Sequence, residues 1–258
     1  MRFTFLGSGG REQIPRACCN CPVCTQARQL SIPYSRRTQS LYLHDLRAVF
    51  DTPECISAQL NAFAVPGVDR IFYSHFHPDH TMGCRIIEEL REQQNLPPID
   101  VFVPEDGIRI SFQESPPILQ LFQQRNLCRL HTKARMFADG ITVERIPLRN
   151  GFAHGFLISD CVHTVFLCSC HAMHIPKNLP ALFHADLMIL GIGYFRSKDL
   201  SSANFSQDIL PIITHYQPKR TIITHIEESD QLSYDDYLVL EKQYANLSFA
   251  YDGMEIAL

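Results

Sequence analysis

The chain has 258 residues, 45% of them hydrophobic and 19% charged, enough to bury a full core as one large domain. A formal net charge of -4 and a sequence pI near 6.3 give no general attraction for a polyanion, so an extended nucleic-acid interface is not expected. No apolar stretch approaches the roughly 20 residues that span a bilayer, and Met1-Arg2-Phe3-Thr4-Phe5-Leu6 reads as a strand rather than a signal peptide, so a cytoplasmic protein is expected.

Short apolar runs recur with glycine or proline between them. In the first half they are Phe3–Leu6, Ser40–Leu43, Ala48–Phe50, Arg70–Tyr73 and Val101–Val103. In the second half they are Gly140–Ile146, Phe156–Ser159, Thr164–Cys168, Leu187–Leu190 and Thr221–Ile223. These read as strands, and helical patterns separate some of them at Ile56–Phe63, Cys84–Gln93 and Asp235–Tyr244. Strands alternating with helices in two successive halves predict an α/β chain forming a four-layer αββα sandwich, one domain over 1–258. Between Gln94 and Phe137, Pro97-Pro98 and Pro116-Pro117 interrupt the pattern, and Ile118-Leu119 with Leu121-Phe122 fits a short helix that could cover an active-site mouth.

The most informative segment is Ser74-His75-Phe76-His77-Pro78-Asp79-His80, on the loop leaving the strand Arg70–Tyr73. Imidazole nitrogens and carboxylate oxygens suit zinc, and also iron or manganese. One residue separates His75 from His77, so an extended backbone points both rings to the same side. Asp79 and His80 follow the turn at Pro78 and can face a second ion. Two ions about 3.5–4 Å apart can share a hydroxide that is nucleophilic near neutral pH. The competing account, a histidine-rich surface loop, does not explain this ordered quartet.

Ten cysteines without a secretory segment point to metal ligation or buried thiols rather than disulfides, and four of them crowd into Cys18-Cys19-Asn20-Cys21-Pro22-Val23-Cys24. Thiolates at this spacing can wrap a tetrahedral ion. Gly7, Gly9 and Gly10 fit either a phosphate cradle or tight turns, and Arg36-Arg37 could hold one phosphate.

The HxHxDH of His75, His77, Asp79 and His80 resembles the signature of the metallo-β-lactamase superfamily of hydrolases, a likeness that covers nearly the whole chain. The order Phe5–Gly10, cysteine cluster, Arg36–Ser40, Phe50–Glu54 and Gln59-Leu60 resembles the PhnP cyclic-phosphate phosphodiesterases and the PQQ-biosynthesis B proteins. The resemblance implies a structural zinc on Cys19, Cys21 and Cys24, with Glu228 standing where the phosphodiesterases place a fourth, histidine ligand. It also implies a dinuclear centre closed by His225 at the end of the strand Thr221–Ile223.

The chain departs from the pattern in two places. Asn150 occupies the place of a histidine, with His154 the nearest substitute, and Cys168-Ser169-Cys170-His171 follows Leu167 where an acid is expected. Zinc β-lactamases carry a cysteine in the place of that acid, so the resemblance implies the ligand set His75, His77, Asp79, His80, His154, Cys170 and His225, with Cys168 the alternative to Cys170, His171 or His174 nearby, and a soft thiolate favouring zinc over manganese. Asp79 and His225 are the residues expected to act in catalysis, in a metal-dependent hydrolase that cleaves a small, cyclic phosphodiester through a metal-bound hydroxide. The cofactors expected are one or two catalytic zinc ions and one structural zinc, with manganese or iron as alternatives at the catalytic site. The second reading is a cofactor-biosynthesis or metal-binding protein resembling the PQQ B protein, with a degenerate second metal site. The partners expected are a small anionic substrate and no membrane, with homodimerisation open. The absence of a histidine from Ser201–Ser206, where the phosphodiesterases carry one for the leaving group, argues against the particular cyclic ribose phosphate. A tRNA-trimming role would call for a glycine- and lysine-rich arm, which is not evident.

Overall fold

The computed structural model describes residues 1–92, 96–104, 118–195 and 204–258, so part of the proline-interrupted segment and Ser201–Ala203 lie outside the described residues. Two seven-stranded sheets form the body. The first contains β1 (Arg2–Gly7), β2 (Ser40–Leu43), β3 (Ala48–Phe50), β4 (Arg70–Phe72), β5 (Ile99–Phe102) and β6 (Cys128–His131), with β14 (Glu255–Ala257) on its edge, in the order β14-β1-β2-β3-β4-β5-β6. The second contains β7 (Arg135–Ala138), β8 (Ile141–Pro147), β9 (His154–Ser159), β10 (Thr164–Cys168), β11 (Leu187–Gly191), β12 (Thr221–Thr224) and β13 (Leu247–Phe249), in the order β13-β12-β11-β10-β9-β8-β7. Each sheet joins antiparallel hairpins to a run of parallel strands, β3 to β6 in one and β10 to β13 in the other.

The layers follow from period-two burial. Val165 and Leu167 of β10 face the first sheet and pack with Phe3, Phe5, Phe50, Phe72 and Phe102. Phe166 and Cys168, one residue out of step, face the opposite way, against Ile209, Tyr216 and Tyr237. Between the sheets, Phe72 stacks on Phe50 at 5.0 Å and on Phe102 at 4.5 Å, while Phe156 meets Phe50 edge-on at 5.1 Å. Such ring pairs each add about 0.5–1.5 kcal/mol beyond area burial.

Helices α2 (Ile56–Ala62), α4 (Ile86–Arg91) and α5 (Ile118–Gln124) cover the outer face of the first sheet. Helices α6 (Leu210–Tyr216) and α7 (Tyr234–Glu241) cover the second, giving the αββα order expected. α5 does not cover a mouth: its apolar residues Leu119 and Phe122 are buried against Ile86, Ile99 and Cys128. The cysteine-rich segment continues into helix α1 (Pro22–Leu30), which opens on Pro22 at a position where a missing N–H costs nothing.

The parallel strands decide where function sits, because their carboxyl ends share one edge of the sandwich. The two sheets are linked there through His154 N, which donates to the Ser74 carbonyl at 3.0 Å. Among the described residues no helix is long and apolar enough to cross a membrane.

Candidate metal centre

His75 to His80 leave β4 as a short connection into helix α3 (Pro78–Thr81), whose N-cap is His77 and whose first residue is Pro78. Extended backbone at His77 brings its ring to 4.6 Å from that of His75, and the α3 turn carries Asp79 and His80 inward. Asp79 Oδ2 lies 3.2 Å from His80 Nε2 and 3.4 Å from His225 Nε2, and the His80 and His225 rings stack at 5.5 Å.

From the second sheet, Cys170 and His171 follow β10. Cys170 belongs to two groups whose donor atoms all lie within 4.8 Å of one another: His75, Cys170, His171, and His80, Cys170, His225. The loop reaches this position because residue 191, where β11 passes, is glycine. A Cβ there would lie 1.9 Å from the Ser169 carbonyl oxygen, so a larger residue would push the loop away.

Asp51, at the end of β3, orients the centre from below. It is fully buried and accepts hydrogen bonds from Ser74 N, Ser74 Oγ and His80 Nδ1, each at 2.8 Å, and from Ser169 Oγ at 2.9 Å. Because the Ser74 hydroxyl donates to Asp51, it can only accept from His75 Nδ1, 2.9 Å away. Nδ1 of each ring is thereby engaged, His80 by the Asp51 carboxylate and His75 by the Ser74 hydroxyl that Asp51 holds, which leaves Nε2 as the outward donor atom, the arrangement that orients metal ligands. The Nε2 atoms of His75 and His171 are buried without a hydrogen-bond partner among the described residues, and His80 Nε2 faces the Asp79 carboxylate, so the donor set fits a metal ion.

The buried acids and histidines of the centre shift one another's ionisation. Burial alone would raise the Asp79 carboxyl, but the charges of His80 and His225 outweigh it and hold the group well below the usual carboxylate range. Burial likewise opposes ionisation of Cys170, and the His225 charge with contacts from His171 and His75 overrides it, holding the thiol well below its ordinary value. His225 is pushed up to about 10, against burial, by Cys170 and Asp79. His75 is lowered to about 4 by burial and by the charge of His80.

A cavity of 640 Å³ opens onto these groups, with His77, Asp79, Cys170, His171 and His225 in its wall and Arg11, Glu54 and Glu227 also lining it. Its size is that of a small-ligand site.

Of the expected ligands, the structure brings His75, His77, Asp79, His80, Cys170 and His225 together. His154 stands apart from them: it begins β9, where its backbone N and its ring Nδ1 both face the Ser74 carbonyl, at 3.0 and 3.3 Å. Asn150 is not a ligand either, because its Oδ1 accepts from Ala153 N at 3.2 Å and shapes the turn before β9. Cys168 points into the outer core, and the His174 ring centroid stays 6.4 Å from that of His171. Asp51 had no motif-level signal beyond its place in Phe50–Glu54.

Cys19, Cys21 and Cys24 form a third donor group, as their spacing predicts. Glu228 is buried beside them, with Oε2 3.9 Å from Cys21 Sγ, while Arg16 and Gln231 also hold its carboxylate at 3.1 and 2.8 Å. The Arg36-Arg37 pair does not form a phosphate spot. Arg36 is 2% exposed and donates to Ser8 Oγ and the Ala250 carbonyl, and Arg37 pairs with Asp252. Gly10 permits close contact with Glu227, whose Cγ would lie 2.7 Å from a Cβ at that position.

No curated protein is significantly similar to the chain in sequence. Among solved structures, a diphosphatase of the PhnP family superposes with a TM-score of 0.77 at 18% identity, covering 100% of this chain and 97% of the other. Zn(2+)-bound PqqB from Methylobacterium extorquens gives 0.82 at 15% identity over 100% of both chains. The short form of human tRNase Z gives 0.65 at 17% identity over 100% and 99%. These likenesses share the metallo-β-lactamase fold. Residues 47–226 match the model of the β-lactamase superfamily domain, and the chain is a member of that superfamily.

Proposed function

We propose that the chain is a metal-dependent hydrolase of a small phosphodiester. The observation that carries this reading is the convergence of His77, Asp79, Cys170, His171 and His225 on the wall of one 640 Å³ cavity, where the buried Nε2 of His171 has no hydrogen-bond partner among the described residues. A diphosphatase among the fold relatives supports phosphorus–oxygen chemistry. His75, His77, Asp79, His80, Cys170 and His225 would hold the metal, zinc by preference because of the thiolate. A divalent ion in such a place supplies Lewis acidity toward a water and charge neutralisation toward phosphoryl oxygens.

The chain's own groups do the rest. Asp79, kept ionised by its two histidine neighbours, is placed to accept a hydrogen bond from the attacking water and so orient it. The exposed Arg11 guanidinium lines the cavity and offers positive charge to the substrate's anionic oxygens. The negative net charge of the chain favours a small substrate over a nucleic acid.

The test is turnover of bis(p-nitrophenyl) phosphate with zinc or manganese added. Turnover that falls about 100-fold or more in His77→Ala is the expected result. No turnover of this or other small phosphodiesters with zinc, manganese or iron would overturn the reading.

A further inference from the structure

The wall of the 640 Å³ cavity carries more charge than the metal-facing donors account for. Beyond those donors it is lined by one guanidinium, Arg11, and two carboxylates, Glu54 and Glu227. Resting on the reading that a phosphodiester meets the centre, we propose that Glu54 and Glu227 select the substrate's organic ester group and that this group carries a primary ammonium: the substrate is an amino-alcohol phosphodiester.

Glu227 is held in place by the turn that follows β1. Its side chain lies flat on Gly10, where a Cβ would meet Oε1 at 2.7 Å and Cδ at 2.8 Å, so a larger residue there would displace the carboxylate. Arg11 N donates to Oε1 at 3.1 Å, while Oε2 has no hydrogen-bond partner among the described residues. The Arg11 guanidinium turns to Glu12, at 4.0 Å, and Glu227 is half-buried without an ion pair among the described residues. Glu54, on the loop after β3, is exposed and has neither an ion pair nor a hydrogen bond among the described residues. A ligand that fills the cavity strips water from both carboxylates, and a phosphodiester alone brings only more negative charge.

The rest of the wall narrows the choice of donor. Met82, 59% exposed, and Ile192 offer apolar contact to a methylene chain. Among the described residues no phenylalanine or tyrosine lines the cavity, so a nucleobase finds no ring of that kind to stack on and a quaternary ammonium no such face to rest against. A primary ammonium has three N–H donors and can satisfy two carboxylates directly. Two carboxylates against one guanidinium leave this part of the wall negative, which favours a charged donor over a neutral hydroxyl.

The experiment compares 3-aminopropyl p-nitrophenyl phosphate with butyl p-nitrophenyl phosphate, alike in size and different by one charge, as substrates of the zinc-loaded full chain. In each, water adds to phosphorus and p-nitrophenolate leaves. The aminopropyl ester is expected to be favoured in kcat/KM by at least about 10-fold, the scale of a hydrogen bond to a charged group. Glu227→Gln keeps the side-chain shape and an acceptor for Arg11 N, and is expected to lower that ratio about 10-fold, with Glu54→Gln lowering it about three-fold. Thermal unfolding shows that each variant is folded, and should Glu227→Gln fail that control, Glu54→Gln decides the residue assignment. Calorimetric binding of 3-aminopropyl, 3-hydroxypropyl and butyl monophosphates to the same protein reads the preference without turnover, and the aminopropyl compound is expected to bind tightest. Equal treatment of the amino and butyl compounds overturns the proposal, and a hydroxypropyl phosphate bound as tightly as the aminopropyl one overturns the ammonium. A ratio unchanged in the folded variants overturns the assignment to Glu54 and Glu227. A chain that hydrolyses neither ester yet binds aminopropyl phosphate tightest keeps the ammonium site and defeats only the hydrolase reading.

Discussion

Cys21 Sγ lies 3.9 Å from Glu228 Oε2, so the cysteine-rich segment touches the chain three residues past His225. The contact is reinforced nearby: Ile226 N donates to the Ser8 carbonyl at 3.0 Å, Gly10 N to the Ile226 carbonyl at 2.9 Å, and Arg11 N to Glu227 Oε1 at 3.1 Å. The N-terminal lobe therefore clasps the loop that presents His225 to the cavity.

Cys24→Ser is expected to release one zinc per chain and to lower activity as well, although Cys24 does not line the cavity. Loss of a thiolate ligand should cost a few kcal/mol and lower the melting temperature by roughly 5–10 °C. Elemental analysis with calorimetry checks both. An unchanged zinc content would show that the three thiols hold no ion.

Asp51→Asn keeps the shape of the buried carboxylate and removes its charge. The His80 ring loses the carboxylate that holds its Nδ1, and the Ser74 hydroxyl facing His75 loses its charged acceptor, so zinc affinity at the centre should fall about 10- to 100-fold. Competition against a fluorescent chelator measures this, and an affinity within two-fold of wild type would rule out an orienting role.

Gly191→Ala places a methyl group 1.9 Å from the Ser169 carbonyl oxygen and 3.0 Å from Cys170 N. The backbone has to shift, at a cost of about 1–3 kcal/mol, and Cys170 and His171 shift with it. Reduced denaturant stability together with weakened zinc binding is the expected pair. Weakened stability with intact zinc binding would place the strain elsewhere.

Asp252 gives a pH signature remote from the metal centre. Ser8 N and Ser8 Oγ donate to Oδ1 at 2.9 Å and Arg37 N donates to Oδ2 at 2.7 Å, with the buried Arg36 guanidinium close by. Burial still dominates and pushes the carboxyl up to about 6. The folded chain thus holds this proton more tightly than the unfolded chain, in which the carboxyl titrates near 4. The stabilisation is complete below about pH 4 and is lost as pH rises through about 6, by up to roughly 3 kcal/mol. Asp252→Asn should lack this component. Urea unfolding of both proteins from pH 4 to 7 checks it, and parallel stability curves would refute the shift.

The strands were legible where apolar runs and turn residues punctuate the chain, from Phe3–Leu6 to Thr221–Ile223. β13 and β14, of three residues each, carry too little pattern to stand out, and β6 and β7 lay hidden in the proline-interrupted segment. The first half of the centre was legible because His75 to His80 are contiguous. The second half was only partly so: the sequence singled out Cys170, but nothing local shows that a left-handed turn will aim His171 inward. His154 was favoured by its place ahead of a strand, and only the seam with Ser74 shows its ring to be used there. Asp51 acts through partners as far as 118 residues away, so no local pattern could reveal its role.

Asp51 Oδ2 gathers Ser74 and His80 from the first sheet's edge and Ser169 from the second's. A single oxygen atom is thus a rivet between two halves of the chain that could each form hairpins alone. Neither half on its own owns a complete ion-binding cup; the cup comes into being only when the halves dock. Metal capture should therefore be among the last events of assembly, and a bound ion should act as a lock on the closed sandwich.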